Sequence, residues 1–248
     1  MPRFFISYIP DETARIEGAD ARHIIRSLRM QPGEPLTICD SLGKDYDCEI
    51  ESLEPEAVNL RILAIRETAA EPSVKVTLYQ ALPKSDKFDW VVQKTVELGV
   101  GRIIPVMTAR CVSRPDEKSM RKKVERWQKI AAEAAKQSGR GILPRIGEPL
   151  SFSVAVEEAA SRAKEKNGGK AVALLFYEGG GERILRLVDE GAEEISIFIG
   201  PEGGFDPSEV ELAVKRGVQT ATLGPRILRT ETAPIAAMAA LMQATGNL

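Results

Sequence analysis

At 248 residues, 43% of them hydrophobic and 28% charged, with a formal net charge of −2, the sequence has the profile of a soluble globular protein of one large or two small domains. No run reaches the roughly eighteen apolar residues of a membrane-crossing helix, and the start MPRFFISYIPDETARIEG lacks a secretory apolar region, so a cytoplasmic protein with no membrane partner is expected. Cys39, Cys48 and Cys111 are odd in number and His23 is the only histidine, which argues against a disulfide framework, a metal site and a Ser-His-Asp or Cys-His hydrolase.

From Phe4 to Thr68, short β-type runs alternate with turn residues: RFFISYIP, PLTICDSLG, DYDCEIESLEP and AVNLRILAI. They suit a small antiparallel barrel or sandwich. Between the first two, DARHIIRSLRM sets Ile24, Ile25 and Leu28 at helical spacing, and QPGE ends the turn. Residues 67–73, ETAAEPS, are polar and include a proline, and read as a linker. Beyond it the period changes. VKVTLYQAL precedes SDKFDWVVQKTVELG, RIIPVMTA precedes SMRKKVERWQKIAAEAAKQSG, KAVALLFYE precedes GERILRLVDEGA, EISIFIG precedes DPSEVELAVKRG, and QTATLG precedes an Ala-rich last helix.

This alternation predicts an α/β fold, an open and mostly parallel sheet with helices on both faces. Its ligand would sit beyond the carboxyl ends of the strands, in the loops after Phe176, Phe198 and Leu223. Trp90 and Trp127 fall in helical patterns and are expected in the core. The last helix, APIAAMAALMQAT, is apolar on nearly every face, which predicts burial or a subunit interface and hence a homodimer. Charge is uneven along the chain: residues 1–72 carry 8 basic and 14 acidic side chains, residues 73–148 carry 16 and 8, and residues 149–248 carry 10 and 14. The positive middle third suits either a polyanion-binding face or a solvated mixed-charge helix surface.

Three loops hold the candidates for chemistry. In IFIGPEGGFDPSE, Gly200, Gly203 and Gly204 would let the backbone approach a ligand, while Asp206 caps the helix that Pro207 begins. EGGGE, residues 178–182, reads as a flexible turn before a helix, with Leu175 and Phe176 as a floor for a bound ring. Neither loop has a Walker or dinucleotide spacing. In LGPRILRTETA, Arg229 and Glu231 either pair with each other or act on a substrate, and Thr232 is set to cap the last helix.

GPEGGF followed by LGPRILRTETA closely resembles the SPOUT superfamily of S-adenosylmethionine-dependent RNA methyltransferases, and within it the bacterial family that methylates ring nitrogen 3 of a uridine in small-subunit (16S) ribosomal RNA. LPKSDKFDWVVQKTVELGVGRIIPV, RWQKIAAEAAKQSGR and RHIIRSLRMQPGE resemble that family's segments in the same order, so the resemblance covers nearly the whole chain. It implies a C-terminal α/β trefoil-knot domain at 73–248, an N-terminal PUA-like β-barrel that binds RNA at 1–70, and a homodimer.

Carried over residue by residue, the resemblance implies that S-adenosylmethionine lies against Leu175, Ile199, Gly200, Glu202, Gly203, Leu223, Gly224, Ile227 and Leu228. Arg229 would stabilise negative charge on a uracil oxygen. Glu231 would act as a base, or else orient Arg229. Expected RNA contacts are Arg22, Arg26 and Arg29 on the first domain and Arg110, Gln137 and Arg140 in the basic middle third, with 16S ribosomal RNA, within the small subunit, as partner. Another SPOUT activity on transfer RNA or a ribose, and an RNA-binding or ribosome-assembly module without catalysis, stand as the alternatives.

Overall fold

Contacts in the computed structural model, which describes residues 1–165 and 170–248, divide the chain into two units. The first comprises Met1–Glu71 together with Ala135–Leu143, and the second Pro72–Ala134 together with Pro144–Leu248.

In the first unit the chain forms β1 (Arg3–Phe5), β2 (Thr13–Glu17), a short α1 (Gly18–Arg22), β3 (Pro35–Cys39), β4 (Lys44–Glu54) and β5 (Ala57–Glu67). The sheet runs β1-β3-β4-β5-β2, antiparallel except for the β1–β3 pair. Side chains alternate along β4, so that Tyr46, Cys48 and Ile50 join Leu36, Ile38, Val58 and Leu60 in the core. Register shifts at Asp47/Cys48 and Ile50/Ser52 let the long β4–β5 ribbon bend around that core.

Two expectations change here. β2 lies outside the four expected runs. The expected helix over Ile24 to Leu28 is instead a π-helical turn, His23–Leu28, following α1. Ile24 is fully buried in this turn, whereas Leu28 is 41% exposed.

The second unit contains β6 (Lys75–Ala81), α2 (Lys87–Glu97), β7 (Arg102–Met107), α3 (Glu117–Gln137), β8 (Arg145–Ile146), β9 (Leu150–Ser151), α4 (Phe152–Glu165), β10 (Ala171–Phe176), β11 (Glu182–Arg183), α5 (Ile184–Leu187), β12 (Glu194–Ile199), α6 (Pro207–Lys215), β13 (Gln219–Thr222) and α7 (Ala233–Ala244). The last turn of α3 belongs to the first unit. The sheet order is β11-β13-β10-β12-β6-β7-β8, with β9 beside β7, and its strands pair in parallel, as the alternating runs predict.

Both sheet faces are apolar. Tyr79, Ile104, Leu175 and Phe198 pack with Phe152 and Ala155 of α4 and Ala213 of α6, and Tyr79 stacks on its cross-strand neighbour Phe198 with ring centroids 4.5 Å apart. Leu78, Ile103, Leu174 and Ile197, one residue out of phase, are fully buried on the other face.

α6 begins as the sequence predicts, with Asp206 and Glu209 forming a reciprocal capping box and Pro207 in the first turn. α7 does not. Thr232 makes no side-chain cap, and its backbone N–H instead closes a turn onto the Arg229 carbonyl at 2.8 Å. α7 packs on α2 and buries Ala237, Met238 and Leu241, while Ile235, Ala236, Ala239 and Ala240 remain partly exposed. Trp127 is buried as expected, its indole N–H donating to Asp89, but Trp90 is 52% exposed beside Lys94. Among the described residues no helix is long and apolar enough to cross a membrane.

Candidate functional site

The strands β12 and β13 flank β10, so the chain leaves their carboxyl ends in different directions and opens a crevice between the loops that follow. A cavity of about 910 Å³ occupies it, walled by residues 176–178, 199–204 and 222–230. The three loops chosen from the sequence therefore converge in space.

Backbone packing explains two of the glycines there. A Cβ on Gly181 would lie 2.7 Å from backbone atoms of Thr220 and Ala221, so only glycine lets the 178–182 turn cross beside β13. Gly204 has φ of +66°, the left-handed region, and the Glu178 carboxylate rests where its side chain would be. EGGGE is thus part of the wall and not a plain turn, with Tyr177, Glu178, Gly180 and Arg183 on the cavity.

Of the residues expected to hold a cofactor, Ile199, Gly200, Glu202, Gly203, Leu223, Gly224, Ile227 and Leu228 line the cavity. Leu175 does not. Strand alternation points it into the core with Phe152 and Phe198, fully buried, and its neighbour Phe176 takes the wall position. Ile227 is 87% exposed, a large apolar side chain standing open at the cavity rim.

Polar contacts brace the loops. Buried Thr230 donates to the Gly200 carbonyl at 2.7 Å and accepts from Gln80 Nε2 at 3.3 Å, tying the 222–230 loop to the ends of β12 and β6. Gln80 Oε1 is buried without a hydrogen-bond partner behind this contact. Arg110, expected to meet RNA, donates to the Gly203 carbonyl at 2.9 Å and pairs with Asp206 at 3.4 Å, so it buttresses the glycine loop.

Lys87, at the start of α2, stands 3.1 Å from Glu202 Oε1 and 3.2 Å from Glu231 Oε2. Burial works against the Glu202 carboxylate, but backbone N–H groups, including that of Lys84 at 3.1 Å, and the Lys87 ammonium outweigh it and hold the group below the usual glutamate range. The Glu202 and Glu231 carboxylates beside it in turn push the Lys87 ammonium up. The pairing of Arg229 with Glu231 that their spacing allows is not formed. Glu231 is held by Lys87 and lies off the cavity wall, whereas Arg229 lines the cavity, exposed, with no side-chain partner among the described residues.

The remaining expected contacts lie in the first unit. Arg22, Arg26 and Arg29 are exposed, Arg22 within 3.6 Å of Glu56, and Gln137 is exposed at the end of α3. Arg140 is different: it is 3% exposed, and its guanidinium grips Glu71 at 2.8 Å while Glu71 also accepts the backbone N–H groups of Gly141 and Ile142. A buried, paired guanidinium is a structural group, and reaching a phosphate would break this pair. Among the described residues no cluster of His, Cys, Asp or Glu is placed to hold a metal ion.

Residues 70–242 match the family model described as RNA methyltransferase domain, and residues 16–63 match the RNA methyltransferase PUA domain. A protein of Bacillus subtilis (strain 168) named ribosomal RNA small subunit methyltransferase E is 34% identical over 99% of this chain and 97% of its own length. One of the same name from Mycobacterium bovis is 30% identical over 96% and 90%. The crystal structure of a Neisseria gonorrhoeae ribosomal RNA small subunit methyltransferase E, bound to S-adenosyl methionine, superposes with a TM-score of 0.86 at 32% identity, covering 98% of this chain and 97% of that one.

Proposed function

Because this chain belongs to the ribosomal RNA small subunit methyltransferase E family, built of an RNA methyltransferase domain and a PUA domain, we propose that it methylates ring nitrogen 3 of a uridine in 16S ribosomal RNA, using S-adenosylmethionine. One observation carries the reading: an unpaired guanidinium, that of Arg229, stands on the wall of a cavity that also exposes apolar side chains and glycine-loop backbone.

The residues present fit the cofactor. A cavity of about 910 Å³ suits a nucleoside joined to an amino acid, and Ile199, Leu223, Ile227 and Leu228 supply apolar faces for a ring. Backbone groups of residues 200–204 and 223–228 would meet its polar edges. When bound, the cofactor supplies a methyl group on a sulfonium, which departs as a neutral sulfide.

Uridine nitrogen 3 carries a proton that must leave before the nitrogen can bond the methyl carbon. In this reading the proton passes to solvent, and Arg229 lowers the cost by stabilising the negative charge left on a uracil oxygen. Glu231 contributes indirectly as the counter-charge of Lys87, since it lies off the wall. Abolished turnover in Glu231→Gln, with the cofactor still bound, would reinstate it as the base.

The path of the chain supports a trefoil knot. β13 lies on the side of β10 away from β12, yet the following segment returns past Gly200, where Thr230 is bonded, to reach α7 beside α2. The partly exposed apolar face of α7 supports a homodimer. Exposed Arg22, Arg26 and Arg29 support RNA docking on a domain spanning 1–70, with methyl transfer assigned to 73–248. The deciding experiment offers small ribosomal subunits lacking the modification, with cofactor labelled in the methyl group. Labelled 3-methyluridine is the expected product; label in another nucleoside would refute the position, and absence of label the activity.

A further inference from the structure

Lys87 occupies an unfavourable place for a cation, the first residue of α2, where the helix dipole presents its positive end. The neighbouring Asp86 makes no side-chain cap that would offset this. Helix formation therefore does not account for Lys87. Two carboxylates from different loops do: Glu202 Oε1 at 3.1 Å and Glu231 Oε2 at 3.2 Å. Glu231 Oε2 is out of solvent and no donor is aligned on it, so the ammonium acts on it as a nearby charge.

The consequence concerns Arg229. It lies two residues before Glu231 in a tight turn, closed by the N–H groups of Thr232 and Ala233 on the Arg229 carbonyl at 2.8 and 2.9 Å. A guanidinium and a carboxylate so close in the chain attract each other even in water. Were they to pair, the cavity would lose Arg229 as an unpartnered cation, leaving Arg226 on the same wall. We propose that Lys87 is a positioning residue that holds Glu231 away from Arg229 and so keeps that guanidinium free for the substrate. The inference rests on the reading above, in which Arg229 meets the uracil.

The test measures kcat and KM for labelled methyl transfer to small subunits, with calorimetric titration of S-adenosylmethionine as a separate readout. Lys87→Met is expected to lower kcat about tenfold, with KM and cofactor affinity changed less, and Lys87→Arg to retain most of the rate. The decisive protein is Lys87→Met/Glu231→Gln. Removing the competing carboxylate should restore most of the lost kcat, which no general packing defect at position 87 predicts.

Absence of rescue overturns the proposal, as does an unchanged kcat in Lys87→Met. A rise in KM with a shallower salt dependence also overturns it, because that marks Lys87 as a phosphate contact. Arg229→Ala separates the two readings. An unchanged rate there defeats the role of Arg229 itself. A loss of about a hundredfold there, without rescue in the double variant, leaves Arg229 standing and defeats Lys87 alone.

Discussion

Thr230 Oγ donates a 2.7 Å hydrogen bond to the carbonyl of Gly200, joining the two longest walls of the cavity at one point. The hydroxyl is buried and also accepts from Gln80. Thr230→Val keeps the shape and removes both bonds, at a cost of about 1–2 kcal/mol. Cofactor affinity should fall about tenfold, whereas Thr230→Ser should stay near the parent. Calorimetric titration of both variants checks this, and equal affinities would show that the loops are held elsewhere.

Arg110, although exposed, donates to the glycine loop. Its truncation should therefore weaken cofactor binding severalfold while leaving the salt slope of RNA binding unchanged, because that slope counts phosphate contacts. A slope reduced by about one in Arg110→Ala would assign it to the RNA instead.

Arg140 and Glu71 form an ion pair that is nearly out of solvent. Breaking one partner strands the other, which costs about 3 kcal/mol or more. Urea unfolding of Arg140→Met should show a loss of that order. Unaltered stability with weakened RNA binding would return Arg140 to the contact surface.

Asp45 gives a pH dependence with a definite sign. Burial opposes its charge, but Arg3, donating twice at 2.6 Å, and the Thr68 hydroxyl at 2.7 Å outweigh this and hold the carboxyl below its ordinary range. The stability it contributes is complete above the unfolded value of about 3.9 and is lost as pH falls through the lower folded value. The stability gap between the parent and Asp45→Asn should thus be constant at neutral pH and narrow below about pH 4. Denaturant midpoints measured across that range decide it.

Sequence patterns carried β6, β7, β10 and β12 because each is a largely apolar run buried on both sides, as in EISIFIG, whereas the two-residue β8, β9 and β11 leave no such pattern. They also located the loops of the site, since glycine clusters after such runs have few other uses. Long-range partners were not legible. Nothing in the sequence ties Lys87 to Glu202 and Glu231, more than a hundred residues away. Arg110 and Arg140 look like solvated cations until the fold brings Gly203 and Glu71 to them. Trp90 misled for a geometric reason: it shares the outward stripe of α2 with Lys87 and Lys94, at spacings of three and four residues.

The assignment of Ala135–Leu143 to the first unit means that this unit is not a contiguous stretch of polypeptide. Gly141 seats its backbone N–H on Glu71, and its carbonyl receives the Cys39 thiol at 2.9 Å. A fragment cut after residue 71 would lack this strap, leaving the Glu71 carboxylate without its guanidinium and an open seam beside Cys39. Genetic dissection at the apparent linker would therefore yield a wounded piece, and circular rearrangements that preserve the strap are the sounder way to isolate it.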